Sequence, residues 1–186
     1  MKLTTSRVVG LVTLITGCGV GSVHPLHQDA ELLFDAQLIG TWEDSAGKES
    51  AVLTADGTRG YRLAYRDGDG KTGRFRARLG LIGSRHVLDI QPEDPPHEFS
   101  DIYRGLLLPL HGFVFLEVQG QALNFAVLEA DTLRRYLQRN PMAVSHIVLK
   151  DGILLTAPSS ELRRFLAGYL GRRAVLDKAV WRRRVP

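Results

Sequence analysis

The sequence predicts an α+β domain that is mainly antiparallel β, built as a curved meander or a closed barrel with two helices towards the C-terminal end. Three observations support this fold class. From Gly40 onward apolar and polar residues alternate, which is the period-two pattern of half-buried strands. Turns rich in glycine separate these runs at short intervals, which favours strands joined in sequence. Two later segments repeat apolar residues three and four positions apart, which is typical of amphipathic helices.

One predicted strand pair is a hairpin around the turn Asp67-Gly68-Asp69-Gly70, and Asp151-Gly152 is the strongest short hairpin signal in the chain. On both sides of the turn at Asp67, apolar residues on one face alternate with arginines on the other. Weaker alternation predicts strands over residues 51–55, 86–91, 113–118, 123–128, 147–150 and 153–157. A meander of seven or more strands tends to curl, because curling shortens or removes exposed sheet edges.

Two helices are predicted among the late strands. Asp131 is the expected N-cap of the first, and Asn140-Pro141 ends it. Ser159 or Ser160 is the expected N-cap of the second, and Gly171 ends it. Leu133 and Leu137 mark the apolar face of the first helix.

The first eighteen residues are organised as an export signal. Lys2 and Arg7 give a positive start, residues 8–15 form an apolar stretch, and small residues precede Cys18, the only cysteine of the chain. This apolar stretch is too short to cross a bilayer as a helix. A lone cysteine cannot form an intramolecular disulfide, so its role must be sought in this signal.

The ending Leu14-Ile15-Thr16-Gly17-Cys18 resembles the bacterial lipobox. The resemblance implies that residues 1–17 are a signal peptide, that the Cys18 thiol receives a diacylglyceryl group, and that the new amino terminus is acylated. It also implies a lipid-anchored protein of the bacterial cell envelope, with a membrane as its first partner. Because Gly19 rather than aspartate follows the cysteine, the resemblance favours the periplasmic face of the outer membrane in a cell with two membranes.

Residues 18–30 are predicted to be the lipidated cysteine and a glycine-rich tether, and residues 31–186 a single β-rich domain. Without the signal about 168 residues remain, enough for one domain with a substantial core. The net charge falls from +4 to about +2, which is too small to indicate nucleic acid. The basic stretch Trp181-Arg182-Arg183-Arg184 is interpreted as a solvated, frayed end.

The tripeptide Gly40-Thr41-Trp42 resembles the opening of lipocalin-like barrels. In that family the tryptophan closes the barrel floor and an arginine from the end of the barrel packs over its indole, which makes Arg182, Arg183 and Arg184 candidates here. The two late helices depart from the family pattern. His24-Pro25-Leu26 followed by residues 38–42 is also similar to bacterial lipoproteins without an established activity, which implies a location and no chemistry.

No catalytic motif, metal site or cofactor site is predicted, and an enzyme is not favoured. The turn at Asp67 lacks the glutamate that a calcium loop needs at its twelfth position, where Arg78 stands. Residues 92–103 gather carboxylates around His97 and are the candidate site for an envelope enzyme, the third-ranked function.

Two binding functions rank higher. The favoured one is a module for a small apolar or lipid-like ligand, for which candidate inward residues are Phe75, Leu79, Leu88, Phe113, Phe115 and Phe125. The alternative is a protein-interaction or assembly role in the envelope, using an arginine ladder that consists of Arg62, Arg66, Arg74, Arg76 and Arg78. The identity of ligand or partner stays open.

Overall fold

Eleven strands and two α-helices make up the part of the chain that the computed structural model describes, residues 19–93, 107–171 and 176–184. In chain order these are β1 Val20–Ser22, β2 Gly40–Glu43, β3 Ser50–Asp56, β4 Gly60–Arg66, β5 Thr72–Ile82, β6 Arg85–Pro92, β7 Gly112–Gln119, β8 Ala122–Leu128, α1 Ala130–Arg139, β9 His146–Val148, β10 Ile153–Leu155, α2 Ser159–Tyr169 and β11 Leu176–Arg183.

Eight of the strands close into a barrel in the order β11-β2-β3-β4-β5-β6-β7-β8, and every neighbouring pair is antiparallel. The prediction of a mainly antiparallel α+β fold with a lipocalin-like barrel and two helices is confirmed. Alternation decides which side chains enter the barrel: on β4, Tyr61, Leu63 and Tyr65 are buried inside while Arg62 is exposed outside. The two arms of the predicted hairpin, β4 and β5, pair from Gly60↔Arg78 to Arg66↔Thr72.

The last strand, β11, closes the barrel, so the interpretation of this basic stretch as a frayed end was wrong. It pairs with β8 along residues 176–182 and with β2 through Arg182↔Glu43 and Arg183↔Trp42. Trp181 points into the barrel core and is 3% exposed. Without these pairs β2 and β8 would both present open edges, which proteins usually avoid.

A second core lies outside the barrel wall. The outer faces of β6, β7 and β8 pack there against α1, α2 and a small sheet of order β1-β10-β9. Phe113 and Phe115 belong to this outer core, so their prediction as inward residues was wrong. Their neighbour Val114 points into the barrel instead. Because β7 is buried on both faces, its apolar residues do not reveal which face is inside.

Residues 19–33 form a strap that is packed against the barrel, which corrects the predicted tether over residues 18–30 for every residue of it that is described. In the strap β1 pairs in parallel with β10, and Ser22 exchanges two backbone hydrogen bonds with His111. Leu26 is fully buried in the outer core. At its far end the amide of Leu33 donates to the carbonyl of Leu79. The part of the domain that the structure describes therefore includes every strap residue from Gly19 onward.

Candidate functional site: an apolar groove at the barrel mouth

The barrel interior is filled by side chains. Trp181 stacks on Tyr65 with ring centroids 6.2 Å apart and meets Phe125 edge-on at 4.9 Å. The cavity described inside the barrel has a volume of about 40 Å³, and Leu88 and Phe125 are among the residues that line it. This is room for at most a few water molecules, since about 10–15 Å³ of such volume holds one. A lipid-like ligand does not fit there unless the barrel core rearranges.

One end of the barrel is closed by Trp42 and Arg183. Trp42 is fully buried and donates from Nε1 to the carbonyl of Leu38 at 3.0 Å. The guanidinium carbon of Arg183 lies 4.3 Å from the centre of the indole, and its nitrogens donate to the carbonyls of Ile39 at 2.6 Å and of Gln37. Of the three candidate arginines, Arg183 is the one over the indole. Gly40 makes room for it, because a Cβ there would come within 2.5 Å of the guanidinium.

An apolar groove with a volume of about 460 Å³ lies towards the opposite end of the barrel, beside the start of β7. This size falls within the range of about 300–1,000 Å³ that ligand sites commonly have. Four parts of the chain contribute its walls: Phe75, Ile90 and Pro92 from the barrel; Gly19 and Gly21 from the strap; Leu107, Leu108, Leu110, His111 and Gly112 before and at the start of β7; and Leu149, Ile153 and Leu154 from the hairpin of β9 and β10.

Backbone hydrogen bonds hold the strap and the hairpin in place as groove walls. The amide of Ile153 donates to the carbonyl of Gly19 at 3.0 Å, and the amide of Leu149 donates to the carbonyl of Gly152 at 2.9 Å. The strap glycines leave space at the wall, since they carry no side chain. The groove therefore extends from Gly19, the first described residue, to Phe75 and Ile90 at the barrel mouth.

The titratable side chain that lines the groove is His111, which is fixed from behind by Asp89. The distance from Nδ1 of His111 to Oδ1 of Asp89 is 2.7 Å, and Asp89 is 4% exposed. The other carboxylate oxygen of Asp89 accepts from the amide of Leu26 at 2.7 Å. A buried carboxylate needs such partners, and here they connect the strap to β6.

Gln91 completes this network on the other side of the imidazole. Its Nε2 lies 3.3 Å from Nε2 of His111 and 3.3 Å from the carbonyl of Pro109. When His111 is neutral, both contacts are satisfied if Nδ1 carries the proton and Nε2 accepts from the amide. Two neighbours thus fix the orientation of the imidazole, which places one polar side chain in the wall of an otherwise apolar groove.

Another buried histidine, His27, belongs to the strap and lies beneath α2. Its Nε2 donates to the carbonyl of Val87 at 3.0 Å, and its Nδ1 accepts from Arg163 at 3.0 Å. Burial removes the imidazolium from water and thereby lowers the pKa of His27 below 6.5. The ring lies directly over Gly80, where a Cβ would overlap Nδ1 of His27.

The structure separates the six predicted lining residues. Phe75 lines the groove, and Leu79, Leu88 and Phe125 are buried in the barrel core, whereas Phe113 and Phe115 lie in the outer core. Sequence reasoning missed most of the groove because its walls come from distant parts of the chain. The apolar run before β7 was the available signal.

The predicted arginine ladder lies on the outer face of β4 and β5, and three of its members contact acceptors within the domain. Arg62 approaches Asp56 at 3.5 Å, Arg78 pairs with Asp29 at 2.9 Å, and Arg66 donates to the carbonyls of Gly47 and Lys48. Arg74 and Arg76 are exposed, and among the described residues neither has an ion-pair partner.

Two predicted sites fall on residues that the structure does not describe. Cys18 lies before the first described residue, and the acidic segment around His97 lies outside the described ranges except for Pro92 and Glu93. Within the described ranges, no group of three or more histidine, cysteine or acidic side chains is placed to hold a metal ion. No helix in those ranges is long and apolar enough to cross a membrane.

Comparisons of the chain with protein-family models, with curated proteins and with solved structures give no match.

Proposed function

We propose that this protein is a lipid-anchored component of the bacterial cell envelope that binds an apolar chain, such as the acyl chain of a lipid, in the groove at the barrel mouth. The observation that carries the proposal is the apolar groove of about 460 Å³ with Gly19 in its wall. The filled barrel interior argues for this site over the barrel itself, because its cavity of about 40 Å³ is too small. A closed barrel is a rigid support for such a site.

The anchor is the proposed modification of Cys18. The lipobox resemblance supplies the chemistry, and Gly19 at the next position favours the outer membrane of a cell with two membranes. Radiolabelled palmitate should enter the wild-type protein and should not enter the Cys18→Ser variant. Equal labelling of the two proteins, or none in the wild type, would remove the anchor from the proposal.

Ligand binding is tested on protein purified from its own envelope. Mass spectrometry of an organic extract should detect a recurring lipid-like species, and the fluorescent fatty acid cis-parinaric acid should compete with it. Leu108, a groove residue that is 60% exposed, can be changed to Glu with little effect on folding. A charge in the apolar wall should weaken binding of the probe by about tenfold or more, since an unpaired charge there loses its hydration.

Leu81→Glu is the matched control. Leu81 is also a partly exposed leucine but does not line the groove. Its variant should bind the probe as the wild type does. If both variants bind equally well, the ligand lies elsewhere and the groove proposal is wrong, whatever the result for Cys18.

The second candidate partner is an envelope protein with an acidic surface. Arg62 and Arg76 stand directly opposite each other on β4 and β5, where like charges repel. Arg74 lies next to this pair. Carboxylates from another protein would reduce the repulsion among these three arginines. Three ladder arginines already contact acceptors in the domain, which leaves this candidate second.

A further inference from the structure

Exposed apolar side chains gather on one side of the groove. Leu107, Leu108, Ile147, Val148 and Leu149, here called the apolar patch, are 43–60% exposed. Single exposed apolar residues are ordinary on a protein surface, but a group on adjoining segments marks a contact site. Three members, Leu107, Leu108 and Leu149, also line the groove, so the patch and the groove are continuous.

Gly19, the first described residue, lies beside the same patch. Gly19 accepts the hydrogen bond of Ile153, the first residue of β10, and β10 pairs with β9 through Ile153↔Val148. Any group attached at the residue before Gly19 begins only one Cα spacing, about 3.8 Å, away from it. Because the strap is packed in place from Gly19 onward, no flexible linker follows Cys18, and a lipid on that residue would be attached next to the patch.

We propose that the apolar patch lies against the lipid bilayer, so that the groove opens onto the membrane and an apolar chain can pass between the two. This orientation rests on the proposed lipid anchor. A bilayer fits the patch because hydrocarbon needs no matching shape from the protein. The anchor also makes the contact intramolecular, so a patch of five side chains suffices although it would bind only weakly alone.

The charges near the patch favour an apolar contact over an electrostatic one. Lys150 and Asp151 at the turn of the hairpin carry opposite signs, and Arg134, which donates to the carbonyl of Gly152, adds one positive charge. One cation contributes about 1 kcal/mol at an anionic surface, so added salt should leave the contact nearly unchanged, whereas a contact held by several charges would be screened. The competing occupant is a strand of another protein added to the open edge of β9, which would use the backbone and not the bilayer.

The orientation can be measured by tryptophan quenching with brominated lipids. The mature chain that begins at Cys18 contains every described element of the fold, and its single thiol can be coupled to a maleimide phospholipid in phosphatidylethanolamine and phosphatidylglycerol vesicles. This attachment does not depend on natural lipidation, so a failure of the palmitate experiment does not affect it. Trp42 and Trp181 are buried in the barrel and give an equal background in all variants.

Val148→Trp is the test and Val180→Trp the control, because the two valines are 50% and 54% exposed and Val180 does not line the groove. The proposal expects quenching of Val148→Trp to exceed that of Val180→Trp severalfold, with a blue-shifted emission that salt does not alter. Leu108→Trp serves as a second test variant if Val148→Trp has a lower melting temperature. Equal quenching of test and control variants would overturn the orientation. If the tryptophan of Val148→Trp is shielded from quenching only when envelope protein is added, the patch binds a partner strand and the proposed orientation is wrong.

Discussion

Replacement of Arg183 by alanine tests whether the barrel is closed by a side chain near its end. The guanidinium packs over Trp42 at 4.3 Å and donates to the carbonyls of Ile39 and Gln37. A cation over an indole at a partly exposed site contributes about 1 kcal/mol, and hydrogen bonds from a charged donor about 1.5–3 kcal/mol each. These contacts share one geometry and are not additive, so the expected loss is about 2–4 kcal/mol. For a chain of this size that corresponds to a fall in melting temperature of roughly 5–15 °C.

The assay is thermal unfolding followed by circular dichroism, with Arg182→Ala as the control. Arg182 is the preceding residue on the same strand, pairs with Glu43 on β2 and with Ala122 on β8, and is exposed. Its variant should melt close to wild type. Arg183→Lys should fall between, because lysine keeps the charge but cannot donate as a fork to two carbonyls. Equal losses for Arg183→Ala and Arg182→Ala would show that the strand pairing alone closes the barrel.

Three further outcomes are expected. Gly80→Ala should lower the free energy of unfolding, measured in urea, by about 1–3 kcal/mol, because the new Cβ meets the His27 ring. Gly168→Ala is the control: the new Cβ has open space around it, so the free energy of unfolding should rise by about 0.5 kcal/mol. Stability should fall as pH drops below 6.5, because the unfolded chain then binds a proton that buried His27 resists; His27→Gln should flatten this slope, and an unchanged slope would assign it to another group. If the arginine ladder binds an acidic partner, changing Arg74 and Arg76 to Glu should abolish a crosslink between this protein and that partner in the envelope. The same change at the exposed residues Arg139 and Arg164 should preserve the crosslink. An unchanged crosslink pattern in the first variant would contradict a role of the ladder in binding.

The strands with one solvated face were predictable because burial inside the barrel and exposure outside impose opposite chemistry on neighbouring residues. Tyr61 to Arg66 shows this: the aromatic and aliphatic side chains enter the core, and the arginines face water. The turn at Asp67 was also readable, since its carboxylate accepts from the amides of Asp69 and Lys71. Local sequence carries the information in both cases.

The strap and β11 were misread because tertiary contacts and not local patterns order them. Gly19 to Gln28 has the composition of a linker, yet Leu26 and His27 are buried by α2 and the barrel wall. Around β11, basic residues suggested a solvated end, although Arg183 has its acceptors on residues 37 and 39, just before the neighbouring strand β2. The cap of α1 also differed from the prediction, although this contact is local: Glu129, not Asp131, accepts from the amides of Asp131 and Thr132.

The filling of the barrel decides where a ligand can bind. An eight-stranded barrel has an interior just wide enough for side chains or for one small ligand, and here two tryptophans with the aromatic residues of β4, β5 and β8 occupy it. The proposed ligand site, the groove beside Gly19, lies instead where strands end and other segments meet. Because the strap joins that groove to Asp89 and to the outer core, loosening the strap should disturb the groove and leave the barrel intact. A Leu26→Ala variant, which removes a fully buried side chain of the outer core, should lower unfolding free energy by about 2–5 kcal/mol. Free exchange of the strap amides with deuterium in this variant would show that the strap has loosened. If the groove still binds the probe unchanged at temperatures where that exchange occurs, the strap is not part of the ligand site.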